Sequence, residues 1–248
     1  MTELAARVYE RGYCVIEAAY SAQECAEIEE ILVDAWRRDG RDTMGGVFGS
    51  VFHPLLKYAP DMAPFYDRPD IVSVIGEVLQ DDVCLAHSGA LLADETRQFC
   101  GWHVHLNGDR YNEWYPKPDD YGSQVERVLG NVYVHGSNET TGELLVYPRA
   151  VTDAWDAPRD DLSAEWDGQE VLTCPPGSIV IFDTALWHAA RPPSRACRRF
   201  LWGAHYSRRS DPVHHREDNW HDSPEMQAHR ATHPTFAALT EEPPAKFR

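Results

Sequence analysis

The sequence predicts a mainly β domain: a sandwich or barrel core with α-helices packed outside it. Three observations predict this. Helical patterns come early in the chain. Short strand-like runs, each bounded by turn residues, fill residues 83–207. No repeat or linker composition interrupts the 248 residues, so one domain spanning 1–248 with a sizeable core is expected.

The elements follow in order. GYCVIEAAY (12–20) is a short β-prone run. SAQECAEIEEILVDAWRRDG (21–40) reads as an amphipathic helix: Ser21 and Glu24 form a capping box, and Cys25, Ile28, Ile31, Leu32, Ala35 and Trp36 recur at helical spacing. Its expected role is to cover one face of a sheet. Residues 41–64 carry no clear period. A second helix is expected over about 69–80, with Pro69 in its first turn. Strands are expected at 83–93, 128–136, 142–148, 170–174, 177–183 and 198–207, separated by turns such as GSNETTG, PPG and RPPS. The stretch 111–124 is aromatic, acidic and Pro-containing, hence a loop. From 207 to 248 the chain is polar and His-rich, and a C-terminal tail or flap is expected there.

Charge and composition exclude several classes. The formal net charge of -17 argues against a nucleic-acid partner, which needs clustered Lys and Arg, and against an anionic membrane surface. No stretch is long and apolar enough to span a bilayer, and the N-terminus has no signal-peptide core. The six cysteines are scattered without a C-x-x-C pair, which predicts reduced, mostly buried thiols in a cytoplasmic protein.

Among the 12 histidines, three form a pattern. In GWHVHLNGD (101–109), His103 and His105 alternate, so on an extended strand both imidazoles face one side. His188 lies far downstream in PPGSIVIFDTALWHAARPP, and Arg198 and Arg199 open a later β-run. Two ligands close in sequence plus a distal one can build a three-ligand metal site on one face of a β-core, leaving positions open for water or substrate. His214, His215, His229 and His233 read as parts of a solvated segment, while His53, His87, His135 and His205 show no partner pattern.

Four segments, in order, carry a resemblance. YERGYCVIEAAYSAQECAEIEEILVDAW looks like a family's N-terminal strand and helix. GWHVH stands where that family has W-H-x-D. TTGELLVYPRA is similar to its N-G-x-L-x-x-x-P-G-S-H stretch, with Arg149 and Ala150 replacing the usual Gly-Ser. PPGSIVIFDTALWHAARPPSRACRR looks like its distal-histidine segment. From about residue 8 to about residue 206, the chain resembles the phytanoyl-CoA dioxygenase-like family of iron(II)- and 2-oxoglutarate-dependent oxygenases.

The resemblance implies a double-stranded β-helix, a cupin-like jelly roll, with the N-terminal helices packed on it. It implies an iron(II) site at His103, His105 and His188, with O2, 2-oxoglutarate and a small-molecule substrate. The arginine that pairs with the far carboxylate of 2-oxoglutarate falls on Arg199, whose guanidinium fork matches a carboxylate. Arg198, on the opposite face of the same strand, is the runner-up. Substrate contacts are expected from Asn107, Asp109 and Trp114 near the cavity mouth and from Tyr133 on a strand. Trp102 and Trp187, beside the ligands in sequence, are expected to pack around them.

One departure stands out: the family's carboxylate ligand is His105 here. Four readings follow. His105 ligates iron and 2-oxoglutarate is still used. Or three-histidine iron supports an oxygen chemistry without 2-oxoglutarate. Or another carboxylate, Asp109 being nearest, fills the gap. Or the protein is a non-catalytic, cupin-like small-molecule binder. The retained arginine favours the first.

Overall fold

The computed structural model of the protein describes residues 1–39, 44–105, 125, 127–154, 156–210 and 223–241. The elements run α1 (Glu3–Arg11), β1 (Tyr13–Ile16), α2 (Ala22–Arg38), β2 (Ser50–Phe52), α3 (Leu55–Tyr58), a 3-10 helix (Pro60–Tyr66), α4 (Pro69–Leu79), β3 (Val83–Asp94), β4 (Cys100–His103), β5 (Arg127–Tyr133), β6 (Leu144–Val146), β7 (Glu170–Leu172), β8 (Ser178–Asp183), β9 (His188–Ala190), β10 (Arg198–Arg208), α5 (Pro224–Thr232) and α6 (Pro234–Leu239). The strands form two antiparallel sheets, ordered β1-β8-β5-β10-β3-β2 and β4-β9-β6-β7. This is the double-stranded β-helix, with helices on the outer face of the larger sheet.

Side-chain alternation divides the larger sheet into two surfaces. On β8, Ile179 and Ile181 join the cluster packed under the helices, while Val180 and Phe182 face the smaller sheet. On β10, Phe200, Trp202, Ala204 and Tyr206 go to the helices, and Leu201 goes to the inter-sheet space. Both faces are buried, which is why these strands read as near-continuous apolar runs. β10 also passes very close to β5: a Cβ on Gly203 would stand 1.9 Å from the Gly130 carbonyl oxygen, so only glycine fits.

The helices obey their local signals. The Ser21 hydroxyl accepts from the Glu24 N–H at 3.2 Å, and the Glu24 carboxylate accepts from the Ser21 N–H at 2.7 Å. This reciprocal box starts α2, which buries Cys25, Ile28, Leu32, Val33 and Ala35. Ser21→Ala removes one side of it. The expected cost is about 1 kcal/mol, a fall in Tm of roughly 2–4 °C, readable by calorimetry. α4 starts with Pro69 in its first turn and buries Ile71, Val74, Ile75, Val78 and Leu79.

The structure adds elements the sequence expectation lacked, α1 and β9 among them. The unassigned stretch before residue 64 supplies β2, α3 and the start of the 3-10 helix. In the C-terminal part, expected as a polar tail or flap from 207, β10 continues to Arg208, and among the described residues α5 and α6 follow. These helices pack through Met226, Phe236 and Leu239, and Asp67 accepts hydrogen bonds from the N–H groups of Thr235 (2.7 Å) and Phe236 (3.0 Å). Three apolar anchors in a polar segment are too few to give a readable period. All six cysteines are free thiols, five of them buried. No helix among the described residues is long and apolar enough to cross a membrane.

Candidate metal centre

A cavity of about 640 Å³ opens between the two sheets, a size that suits a small-molecule site. His103, His105 and His188 line it, with one ring nitrogen of each within 4.8 Å of the others. Sheet pairing brings them together: β4 and β9 are antiparallel neighbours with His103 opposite His188, ring centroids 4.1 Å apart. β4 ends at His103, so His105 is not on the strand as its spacing predicts. Its N–H instead donates to the Thr184 carbonyl at 2.9 Å, which holds the chain against the turn leading into β9. His105 Nε2 then stands 3.2 Å from His188 Nε2.

The hydrogen bonds fix which nitrogen faces the centre. His103 Nδ1 donates to the Gly101 carbonyl at 2.8 Å, and His188 Nδ1 donates to the Leu186 carbonyl at 2.9 Å. With Nδ1 carrying the proton, each Nε2 is left as the acceptor nitrogen, the usual way a ligating imidazole is held. Burial, with His205 and His103 beside it, pushes His105 well below the ordinary histidine value. Burial, with His103 and His105, does the same to His188. Both are neutral near pH 7, the form that binds metal. Burial also pulls His103 downward, but its contact with the Cys100 thiol outweighs this and leaves it raised. Three convergent imidazoles fit a divalent transition metal, iron included. No carboxylate lines the cavity among the described residues.

Arg199 is buried at 4% exposure and lines the same cavity. Its guanidinium lies over the Tyr133 ring, 5.4 Å from the centroid, and its Nε donates to the Gly142 carbonyl at 3.3 Å. Arg198 points the other way, to the surface, where it pairs with Glu29 of α2 at 2.6 Å. His135 also meets Glu29, at 3.0 Å, rather than the cavity. Tyr133 is buried and lines the cavity. Asn107, Asp109 and Trp114 lie outside the described residues. Trp102 faces away from the cavity and stacks on Trp166, ring centroids 4.2 Å apart, while Trp187 packs against the same ring at 5.6 Å. They brace the outer face of the smaller sheet beneath the histidines.

The sequence reading missed three further histidines and an arginine. His53, His87 and His205 line the cavity, and His205 stands 4.9 Å from His105 between ring centroids. For His205 a signal existed: Arg199, Leu201, Gly203 and His205 alternate along β10, so an inward Arg199 makes His205 inward too. For Arg97, in the turn before β4, there was none. It is 3% exposed and lines the cavity near Arg199.

Among solved structures, the chain is similar to the non-haem α-ketoglutarate-dependent carbocyclase SnoK of nogalamycin biosynthesis (13% identity, TM-score 0.65, 84% of each chain covered). It is similar to HygX from Streptomyces hygroscopicus, solved with nickel and 2-oxoglutarate (13%, TM-score 0.64, 86% of this chain and 89% of that one). It is also similar to EctD from S. alaskensis, solved with 2-oxoglutarate and 5-hydroxyectoine (19%, TM-score 0.65, 86% and 78%). At these identities the likeness establishes the fold. No curated protein sequence matches the chain. The family model for phytanoyl-CoA dioxygenase matches residues 8–200, which takes in both halves of the histidine cluster and Arg199. The chain therefore belongs to the phytanoyl-CoA dioxygenase family of oxygenases, whose cofactors are iron(II) and 2-oxoglutarate.

Proposed function

We propose that the protein is an iron(II)- and 2-oxoglutarate-dependent oxygenase that holds its metal with three histidines, His103, His105 and His188. Its reaction is the hydroxylation, desaturation or cyclisation of a small organic molecule. One observation carries this reading: three convergent imidazoles and a buried arginine share one cavity in a member of this family.

Bound iron, with O2 and 2-oxoglutarate, supplies the oxidising power for C–H chemistry that side chains lack. The chain's own residues do the rest. The Gly101 and Leu186 carbonyls hold the imidazoles of His103 and His188 in orientation. Arg199 receives the far carboxylate of 2-oxoglutarate, with Tyr133 beneath the guanidinium. Leu129, Leu144 and Leu201 keep water from the interior. Val47, Phe48 and Val51 are exposed apolar residues that also line the cavity, and they suit an apolar part of the substrate. Asn107, Asp109 and Trp114, in the segment after His105, are proposed to complete the substrate contacts, and Tyr133 is proposed to share the boundary between cosubstrate and substrate.

The test is an anaerobic titration of metal-free protein with iron(II), then 2-oxoglutarate, followed by visible absorption. A charge-transfer band on adding 2-oxoglutarate is the expected result. Iron binding without a band would favour three-histidine chemistry independent of 2-oxoglutarate. Failure to bind iron would leave another metal or a binding-only protein.

A further inference from the structure

Arg97 and Arg199 are both buried, both line the cavity, and both flank Gly142. Arg199 Nε donates to the Gly142 carbonyl at 3.3 Å. A Cβ built on the same residue would stand 2.7 Å from Arg97 Nη2, and Gly142 has φ +81°. Glycine is thus required for its backbone conformation and for the approach of Arg97. Arg97 reaches this point from the turn after β3, where its N–H donates to the Asp94 carbonyl at 3.1 Å. Its guanidinium is tethered by neutral groups: Nη1 donates to the Gln98 carbonyl at 3.2 Å and Nη2 to the Arg191 carbonyl. Nε of Arg97 is buried and has no hydrogen-bond partner among the described residues.

Neither arginine has an ion-pair partner among the described residues, and no described lining residue is acidic. Burial, and then the charge of Arg199, bring Arg97 down to about 10, so it stays a cation at neutral pH. Two buried like charges side by side are costly unless an anion joins them. A carboxylate has about four lone-pair sites, enough to accept from two guanidinium forks.

We propose that Arg97 is a second cosubstrate-binding arginine, which closes with Arg199 on the far carboxylate of 2-oxoglutarate. This rests on the cosubstrate reading above and deepens it. The location selects the cosubstrate over the substrate: Arg97 shares Gly142 with Arg199, and both guanidinium groups line the same cavity as Tyr133, over whose ring Arg199 lies. A two-arginine clamp makes the pocket selective for a dicarboxylate. A 2-oxo acid that lacks the far carboxylate leaves both cations buried without their anion, and so binds poorly.

The experiment compares the iron-loaded wild type, Arg97→Met and Arg97→Lys under anaerobic titration with 2-oxoglutarate and with 2-oxobutyrate, which lacks the far carboxylate. Affinity is read by calorimetry and by the visible band. Arg97→Met is expected to weaken 2-oxoglutarate about 10- to 100-fold, the loss typical of a charge-assisted contact, while 2-oxobutyrate shifts by less than about threefold. Arg97→Lys keeps the charge and is expected to retain part of the preference. Iron stoichiometry and circular dichroism identify a variant that has not folded, and Arg97→Gln then takes the place of Arg97→Met. Unchanged 2-oxoglutarate affinity, or equal weakening of both acids, would overturn the clamp. A wild type that binds iron but not 2-oxoglutarate would overturn the cosubstrate reading, and the clamp with it.

Discussion

Replacing His188 with alanine is expected to strip the metal. His188 is 6% exposed, sits opposite His103 on the paired strands and lies 3.2 Å from His105 between Nε2 atoms, so it is central to the cluster. Loss of an outer partner of a metal ligand commonly lowers affinity about 10–100-fold, and loss of the ligand itself is expected to exceed that. The measurement is iron retained per chain after equilibrium dialysis, with circular dichroism as the control for folding. His103→Ala is expected to behave alike.

His105 is the informative position. If it ligates, His105→Ala strips iron as well; retention of iron at wild-type affinity would show that it stands beside the site rather than in it. His105→Asp supplies the carboxylate that the family resemblance leads one to expect at this position. It is expected to hold iron and to raise the uncoupled turnover of 2-oxoglutarate, because a carboxylate stabilises oxidised iron better than a neutral imidazole. Succinate formation without added substrate checks this.

The second large effect is structural. Arg149 and Asp183 form a buried ion pair at 2.8 Å, with exposures of 7% and 0%. The guanidinium also donates to the carbonyls of Val151 (2.8 Å) and Asp153 (2.7 Å), and the carboxylate accepts from the Ala185 N–H at 3.1 Å. Asp183 ends β8 and begins the turn that delivers His188. Arg149→Met leaves the carboxylate buried and unpaired, and the expected loss of stability is about 3–5 kcal/mol. Chemical denaturation should show a lower midpoint at unchanged slope. Arg149→Met with Asp183→Asn should cost less than Arg149→Met alone, because the stranded charge is gone. A single variant as stable as wild type would show that the pair does not hold this turn. Arg149, at the position where the resemblance leads one to expect Gly-Ser, thus anchors the turn before His188.

Much of the fold was legible in the sequence because its signals are short-range. Ser21 and Glu24 are three residues apart and fix the start of α2 by themselves. The apolar runs of β3, β5, β8 and β10, bounded by turn residues, need no knowledge of the partner strand. The order of His103, His105, His188 and Arg199 was visible because resemblance ties those residues to one another across the chain. The weak period of 224–239 hid α5 and α6, since three anchors spread over so many polar residues reveal themselves only when the surface they cover is present.

The site's composition was a different matter. The choice between Arg199 and Arg198 follows from which face of β10 turns inward, and the register with β3 and β5 sets that. The end of β4 at His103, the inward turn of His53, His87 and His205, and the meeting of Arg97 with Arg199 at Gly142 all depend on segments far apart in the chain. The sequence by itself determined the β-core with its helices and the residues able to ligate a metal, because caps, apolar runs and turn residues act over a few residues. Only the tertiary structure decided which charges and rings share the cavity, because that depends on strand register and sheet packing, which no local pattern encodes.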